Sequence, residues 1–207
     1  MERTNNYLIQ ARQAKDLFLG YDQQALIRKF GLEHDEAYLY LTMFHEDYRI
    51  HRTTGDMQRH FGGTWVDANS HGEVMSILDL LCGSRNDRRL SGRWKNMSAF
   101  GLQFHQSLLE REKNTWAERF QNDQAGFRQA CLALGGTPLP IGDIAYSIEV
   151  FDGLPIALQL WLGDDEFPPN LRYLWDENAA QYIRYETMYY ALDVLLNRIE
   201  ALMAKGS

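Results

Sequence analysis

A chain of 207 residues with 45% hydrophobic side chains has enough apolar matter for a substantial core. Its net charge of −7 argues against a generic nucleic-acid binder, which needs a basic face to neutralise phosphates. The sequence also lacks the run of about 18 apolar residues that a membrane span requires.

The first residues, MERTNNYLIQARQAKDLFLGYD, carry charges throughout where a signal peptide has an apolar segment. A cytoplasmic protein is expected, with neither nucleic acid nor membrane among its partners. Residues 4–31 read as helix, with a possible break at Gly20 and a stop at Gly31. The period then changes. AYLYLTMF (Ala37–Phe44), YRIHR and MQRHF, with the turn TTGD, predict a three-stranded antiparallel meander over Ala37–Phe61. Tyr38, Tyr40, Thr42 and Phe44 are expected on one face, and Leu39, Leu41 and Met43 on the other.

SHGEVMSILDLLCG (Ser70–Gly83) returns to helical spacing, with a stripe of Val74, Ile77, Leu78 and Leu81. Ser70 and Glu73 fit a capping box, and Gly83 a C-cap. Residues 84–96 read as a polar, positive loop. Helices are expected over Leu108–Phe120 and Gln124–Leu134. IAYSIEVF, PIALQLWLG and RYLWD read as three more strands, the first two joined by DGLP. All five prolines lie between Pro138 and Pro169. A long closing helix is expected from a cap at Asn178 to about Met203, with Tyr182, Tyr185, Tyr189, Leu192, Leu196, Ile199 and Met203 as its stripe. Helix, strands, helices, strands, helix predicts a single α+β domain with antiparallel sheet.

Several residue groups carry possible chemistry. In WLGDDEFPP (Trp161–Pro169), Asp164, Asp165 and Glu166 suit a hard cation or an acid–base pair. A strand alternates faces, so only Asp164 and Glu166 share a side. The mechanical alternative is a corner: Gly163 permits a tight turn, the carboxylates accept backbone N–H groups, and the prolines forbid regular structure. Trp161 and Phe167 would then anchor it in the core. Asp143, after Gly142 at a strand start, would face this corner if the two strands form a hairpin.

The loop RNDRRLSGRWK sets Arg85, Arg88, Arg89, Arg93 and Lys95 against Asp87 alone. Arginine forks suit carboxylate or phosphate, and Trp94 could stack on a flat ligand. His51 and His60, on neighbouring predicted strands, could face each other near His45 and hold a metal. Surface histidines are the simpler reading, and no helical i, i+4 histidine pair occurs. Cys82 and Cys131 sit in apolar helical patterns and read as buried reduced thiols; two thiols make no zinc or iron–sulfur site by themselves. The chain contains no G-x-S-x-G elbow and no P-loop.

The C-terminal part resembles a known family in its ordered motifs. These are Gly135-Gly136, Gly142-Asp143, Leu154-Pro155, Trp161, Gly163-Asp164, Glu166-Phe167-Pro168 and Trp175-Asp176. Upstream, VMSILDLLCGS followed by LSGRW is similar to the family's middle segment. The family is the one called domain of unknown function 3786, and the resemblance runs over roughly residues 70–200. Trp175 departs from it, since phenylalanine is commoner there. The resemblance implies an origin mainly among anaerobic bacteria and archaea, where some members are joined to iron–sulfur or corrinoid-associated modules. It implies no reaction and no catalytic residue. With two cysteines here, any such cluster would be carried by a partner.

The expectation is a non-catalytic binding or accessory protein for a small anionic ligand or a cofactor-bearing partner, in anaerobic one-carbon, corrinoid or redox metabolism. The sequence names no particular cofactor. The binding face would draw on Arg88, Arg89, Arg93 and Trp94, or on Asp143, Trp161, Asp164 and Glu166. The first rival is a metal-assisted or acid–base enzyme using Asp143, Asp164 and Glu166. The second is a structural assembly subunit.

Overall fold

A computed structural model describes residues 6–101 and 115–206. The expected class forms: an α+β chain with two antiparallel five-stranded sheets and a long C-terminal helix. The chain divides into two compact units. The first takes the residues up to Arg89 with Ala180–Val194, and the second takes Leu90–Ala179 with the residues from Leu195 onward.

In the first unit, helices α1 (Asn6–Gly20) and α2 (Gln23–Phe30) separate where Gly20 predicted a break. Residues 4 and 5 of that expected helix lie outside the described residues. Asp22 caps α2 by accepting from the amides of Gln24 and Ala25 at 3.0 and 3.2 Å. Gly31 closes α2 in the left-handed region, at φ 63°.

The predicted meander is the centre of the first sheet: β1 (Glu33–His34), β2 (Tyr38–Met43), β3 (Glu46–His51), β4 (Met57–Phe61) and β5 (Thr64–Asp67), each paired with the next. Leu39, Leu41 and Met43 are buried, as alternation requires. Tyr38 and Tyr40 stay on the opposite, half-buried face, where Arg49 sits between the rings of Tyr38 and Trp65, 4.2 and 4.5 Å from their centroids. Phe44 departs from the expected face. It lies in the β2–β3 turn with φ 53°, fully buried.

That turn joins the Met43–Glu46 pair through Phe44 and His45, both at positive φ. Such a turn matches the strand twist but disfavours residues with a Cβ. His45, exposed at φ 60°, holds no place in the core. His45→Gly is expected to stabilise the protein by about 0.5–1 kcal/mol, the relieved strain exceeding glycine's entropy cost. It should raise the urea midpoint at constant slope; a lower midpoint would mean that the imidazole makes a contact worth more than the strain.

Helix α3 (His71–Gly83) carries the predicted stripe inward. The Ser70 hydroxyl accepts from the Glu73 amide at 3.3 Å. The return arm of the box differs from expectation, since Glu73 accepts from the Ser70 hydroxyl at 2.6 Å and from the buried Tyr48 hydroxyl at 3.1 Å. The capping carboxylate thereby ties α3 to β3.

In the second unit the sheet order is β6 (Trp94–Asn96), β10 (Asn170–Asp176), β9 (Leu154–Trp161), β8 (Ile144–Phe151), β7 (Thr137–Pro138). Strands β8–β10 are the three predicted ones. Their register places Tyr146, Ile148, Ile156, Leu158, Tyr173 and Trp175 on one buried face. Helical residues 115–122 (α4) and α5 (Gln124–Ala133) add Phe120 and Phe127, stacked 4.3 Å apart, with Phe127 edge-on to Tyr146. Residues 108–114 of the expected helix, and His105, lie outside the described residues.

The closing helix α6 spans Tyr185–Gly206 and starts later than expected. The Asn178 amide donates to Asp176 at 2.8 Å, and Ala179–Gln181 form a 3-10 turn. Tyr182 is buried ahead of the helix, while Leu192, Leu196 and Ile199 make the predicted stripe. The first i, i+4 bond runs from the Met188 amide to the Arg184 carbonyl. No helix among the described residues is long and apolar enough to cross a membrane.

Candidate ligand site

The acidic corner follows β9 in the second unit. Asp164 Oδ1 accepts from the amides of Glu166 and Phe167 at 2.9 and 2.8 Å, and these bonds hold its carboxyl below the ordinary value. The Asp164 amide donates back to the Phe167 carbonyl at 2.9 Å. Gly163 donates to Gln121 Oε1 at 2.5 Å; a Cβ on Gly163 would lie 2.7 Å from Pro169. Asp143 belongs to the same end of the β8–β9 hairpin, but its carboxylate accepts from the Leu162 amide at 2.8 Å. Each of these two carboxylates thus braces backbone. Asp165 and Glu166 point to solvent. Trp161 and Phe167 correct the expectation outright: they are 43% and 67% exposed, so the core does not anchor the corner. Its internal hydrogen bonds hold it.

The basic loop is divided between the two units. Arg85 pairs with Asp87 through two bonds of 2.9 and 2.7 Å. The Arg89 side chain is exposed, and its amide donates to Gln181 Oε1 at 3.0 Å. Both belong to the first unit with Arg88, whereas Arg93 and Trp94 belong to the second. Arg93 pairs with Glu177 at 2.8 Å, and Trp94 opens edge strand β6 opposite Asp176. Trp161 pairs with Asn170, at the other end of β10. Six residue steps along β10 separate the two ends, about 20 Å, so Trp94 and the acidic corner do not share a site.

The histidines of the meander do not gather either. His51 pairs with Tyr38 and His60 with Trp65; the Tyr48–Arg59 and Ile50–Met57 register sets the two at opposite ends of β3. Among the described residues no three His, Cys, Asp or Glu side chains could hold a metal together.

What the first unit builds instead is a pair of adjoining clefts. One, of about 630 Å³, is lined by α1, α3 and the start of α6. Its apolar wall includes Ala14, Leu17, Leu78 and Ile183, and Gln10, Gln13 and Tyr190 supply polar edges. Asp79 and Arg184 pair in this lining: the buried Asp79 accepts from Arg184 Nε at 2.7 Å and from the Arg184 amide at 2.9 Å. Beside the cleft, His71 packs between the rings of Tyr7 and Tyr190, its Nε2 2.9 Å from Gln10 Oε1. Burial lowers the His71 pKa and raises that of Tyr190, so both are neutral at pH 7.

The second cleft, of about 620 Å³, is lined by Tyr21, Ala25, Leu26, Arg28, Lys29, Cys82, Ser84, Asn86 and Arg88. Arg88 lies over the rings of Phe30 and Tyr182, 4.6 and 5.8 Å from their centroids. Tyr21 and Cys82 line both clefts, and the Tyr21 hydroxyl donates to the Cys82 carbonyl at 2.6 Å. Burial pushes the Cys82 thiol up to about 12, leaving it uncharged and a poor nucleophile. Cys131 is buried and pushed up likewise. Of the residues expected to bind, Arg88 alone lines these clefts.

Sequence reasoning missed Tyr21, Lys29, Asp79, Arg184 and Tyr190. Asp79 had a readable signal, a carboxylate inside the apolar run ILDLL of a helix that buries it.

The fold and site define an α+β protein with antiparallel sheets and a two-part cleft among the helices of its first unit. The chain belongs to the family described as Domain of unknown function (DUF3786), which matches residues 22–198. The match extends the expected resemblance toward the N-terminus, across α2 and the first sheet. No curated protein and no solved structure matches the chain.

Proposed function

We propose that the protein is a non-catalytic binding protein that takes a small organic anion in the joined clefts of its first unit. The observation that carries this is the shared wall of Tyr21 and Cys82, with cations on one side and an aliphatic and aromatic surface on the other. An anion's charged group suits the cationic side, and its body the apolar side, the division that small-molecule sites commonly show. The Asp79–Arg184 pair brings no net charge to the apolar side, and Glu186 in the same lining adds one negative charge there. The family resemblance would set this ligand in anaerobic one-carbon, corrinoid or redox metabolism, free or borne by a partner. An enzyme built on Asp143, Asp164 and Glu166 has less support, since the first two carboxylates already hold backbone amides.

The test is the melting temperature with benzoate or phenyl phosphate, each against sodium chloride of matched ionic strength. At ten times its dissociation constant, a bound anion adds about 1.4 kcal/mol, or about 3–6 °C for a chain of this size. The reading fails if neither anion moves the transition beyond the salt control.

A further inference from the structure

We propose that the outer face of the first sheet docks an arginine-bearing segment of a partner protein. This surface lies apart from the site proposed above, since none of its residues lines either cleft. Register sets Glu33, Tyr40, Arg49, Gln58 and Asp67 in one row across the five strands. Alternation along the strands adds Tyr38, Asp47, His51, His60 and Trp65 to the same side. Leu39, Leu41, Ile50 and Met57 mark the opposite, buried side. Every residue named on the outer side is half-buried or exposed.

Five rings run across this side in contact. Tyr38 meets His51 edge-on with centroids 5.2 Å apart, Tyr40 lies 6.3 Å from both Tyr38 and Trp65, and Trp65 meets His60 at 5.3 Å. Neighbouring planes are tilted against each other by 47–85°. A sugar or a base stacks on a ring laid flat, whereas tilted rings leave slots for a planar cation. Arg49 shows that fit within the chain. Its guanidinium carbon lies 4.2 and 4.5 Å from the Tyr38 and Trp65 centroids, and its Nε donates to Gln58 Oε1 at 2.8 Å.

The charge on this side suits the same guest. Glu33, Asp47 and Asp67 stand against Arg49 alone, and Asp35 and Glu36 add two carboxylates in the turn between β1 and β2. Asp47 accepts from the Thr42 hydroxyl at 3.2 Å and Asp67 from the Asn69 side chain at 2.6 Å, so their printed partners are neutral groups. Edge strands carry charge to resist pairing with another sheet, which accounts for Glu33 and Asp67. Asp47 lies on the central strand, and all three are of one sign. Arginine fits better than lysine, because a guanidinium is planar, weakly hydrated and stacks on rings. The row from Glu33 to Asp67 spans four strand spacings, about 20 Å, the reach of about six extended residues.

The test is calorimetric titration with a capped peptide of three alternating arginines and glycines and with its lysine counterpart, in dilute buffer and near physiological salt. The arginine peptide should bind about tenfold tighter than the lysine one, as two or three exposed cation–π contacts imply. Trp65→Ala and Tyr40→Ala should each remove most of that preference. Where Trp65→Ala does not fold, Trp65→Leu keeps apolar volume without the ring. Glu33→Gln with Asp67→Asn should weaken both peptides, while Trp161→Ala, at the exposed end of β9 in the other unit, changes neither. Equal binding of the two peptides, or binding that ignores Trp65 and Tyr40, assigns the attraction to the chain's net charge of −7 and overturns the proposal. Self-association of the protein alone that depends on Trp65, seen by sedimentation velocity, gives the face to a second copy and overturns it too. So does an arginine peptide that fails to bind even in dilute buffer. Each of these outcomes leaves the cleft reading standing.

Discussion

Asp176→Ala is expected to destabilise the protein by about 3 kcal/mol, because three backbone donors lose one buried acceptor. The carboxylate is 3% exposed and accepts from the amides of Ser91, Gly92 and Asn178 at 2.8–3.0 Å. It thereby fastens the start of the β6 segment to the end of β10, a link across more than eighty residues of sequence. Gly92 is exposed, and water replaces part of its loss; without that relief three orphaned amides would cost more. Urea unfolding at pH 7 measures the effect, and a loss below about 1 kcal/mol would mean that the loop finds other acceptors.

The same residue predicts an acid limb. Burial pushes the Asp176 pKa up, but the bonds from Ser91, Asn178 and Gly92 outweigh it and hold the carboxyl below its ordinary 3.8. A carboxylate depressed in the folded state contributes stability that is fully present above the unfolded value. That contribution disappears as the pH falls from about 4 through the lower folded value. Asp176→Asn should therefore lose stability at pH 7 and show a shallower decline than the parent below pH 4.

Asp79→Ala is expected to cost about 2 kcal/mol, most of it from the Arg184 backbone amide. The Asp79 side chain is 5% exposed, whereas that of Arg184 is 68% exposed and regains water once released. The ion pair itself therefore contributes little. What matters is that Asp79 on α3 accepts the amide at the residue where α6 begins, serving as a cap supplied from 105 positions away in sequence. The melting temperature should fall by about 4–8 °C. Asp79→Asn, which keeps one acceptor oxygen, should fall less. Equal losses in the two variants would assign the role to charge instead.

These two carboxylates show why part of the structure was legible and part was not. β2–β4 and β8–β10 alternate apolar residues over five to eight positions, and α3 keeps a helical stripe, so local period fixed their type. β1, β6 and β7 have two or three residues each, too few for a period, and exist because longer strands offer them an edge. Phe44 was misplaced because strand alternation was carried through a turn that no glycine or asparagine announces. The start of α6 was misplaced because its closing carboxylate is remote in sequence.

The candidate site divides the same way. Arg88 was visible as charge in the loop. Lys29 and Tyr21 were absorbed into a helical period, and nothing local says that they line a cleft with Cys82. Trp161 and Phe167 were taken for core on hydrophobicity, yet the corner between them satisfies its own backbone through Asp164 and Gln121 and leaves both rings outside.

The most direct measurement is an amide chemical-shift map of the ¹⁵N-labelled protein titrated with phenyl phosphate at constant ionic strength. The account predicts saturable shifts at Tyr21, Lys29, Cys82, Ser84 and Arg88, spreading to Leu78 and Ile183. Shifts confined to the Asp143, Trp161 and Asp164–Phe167 end of the second sheet, or none that saturate, would contradict it.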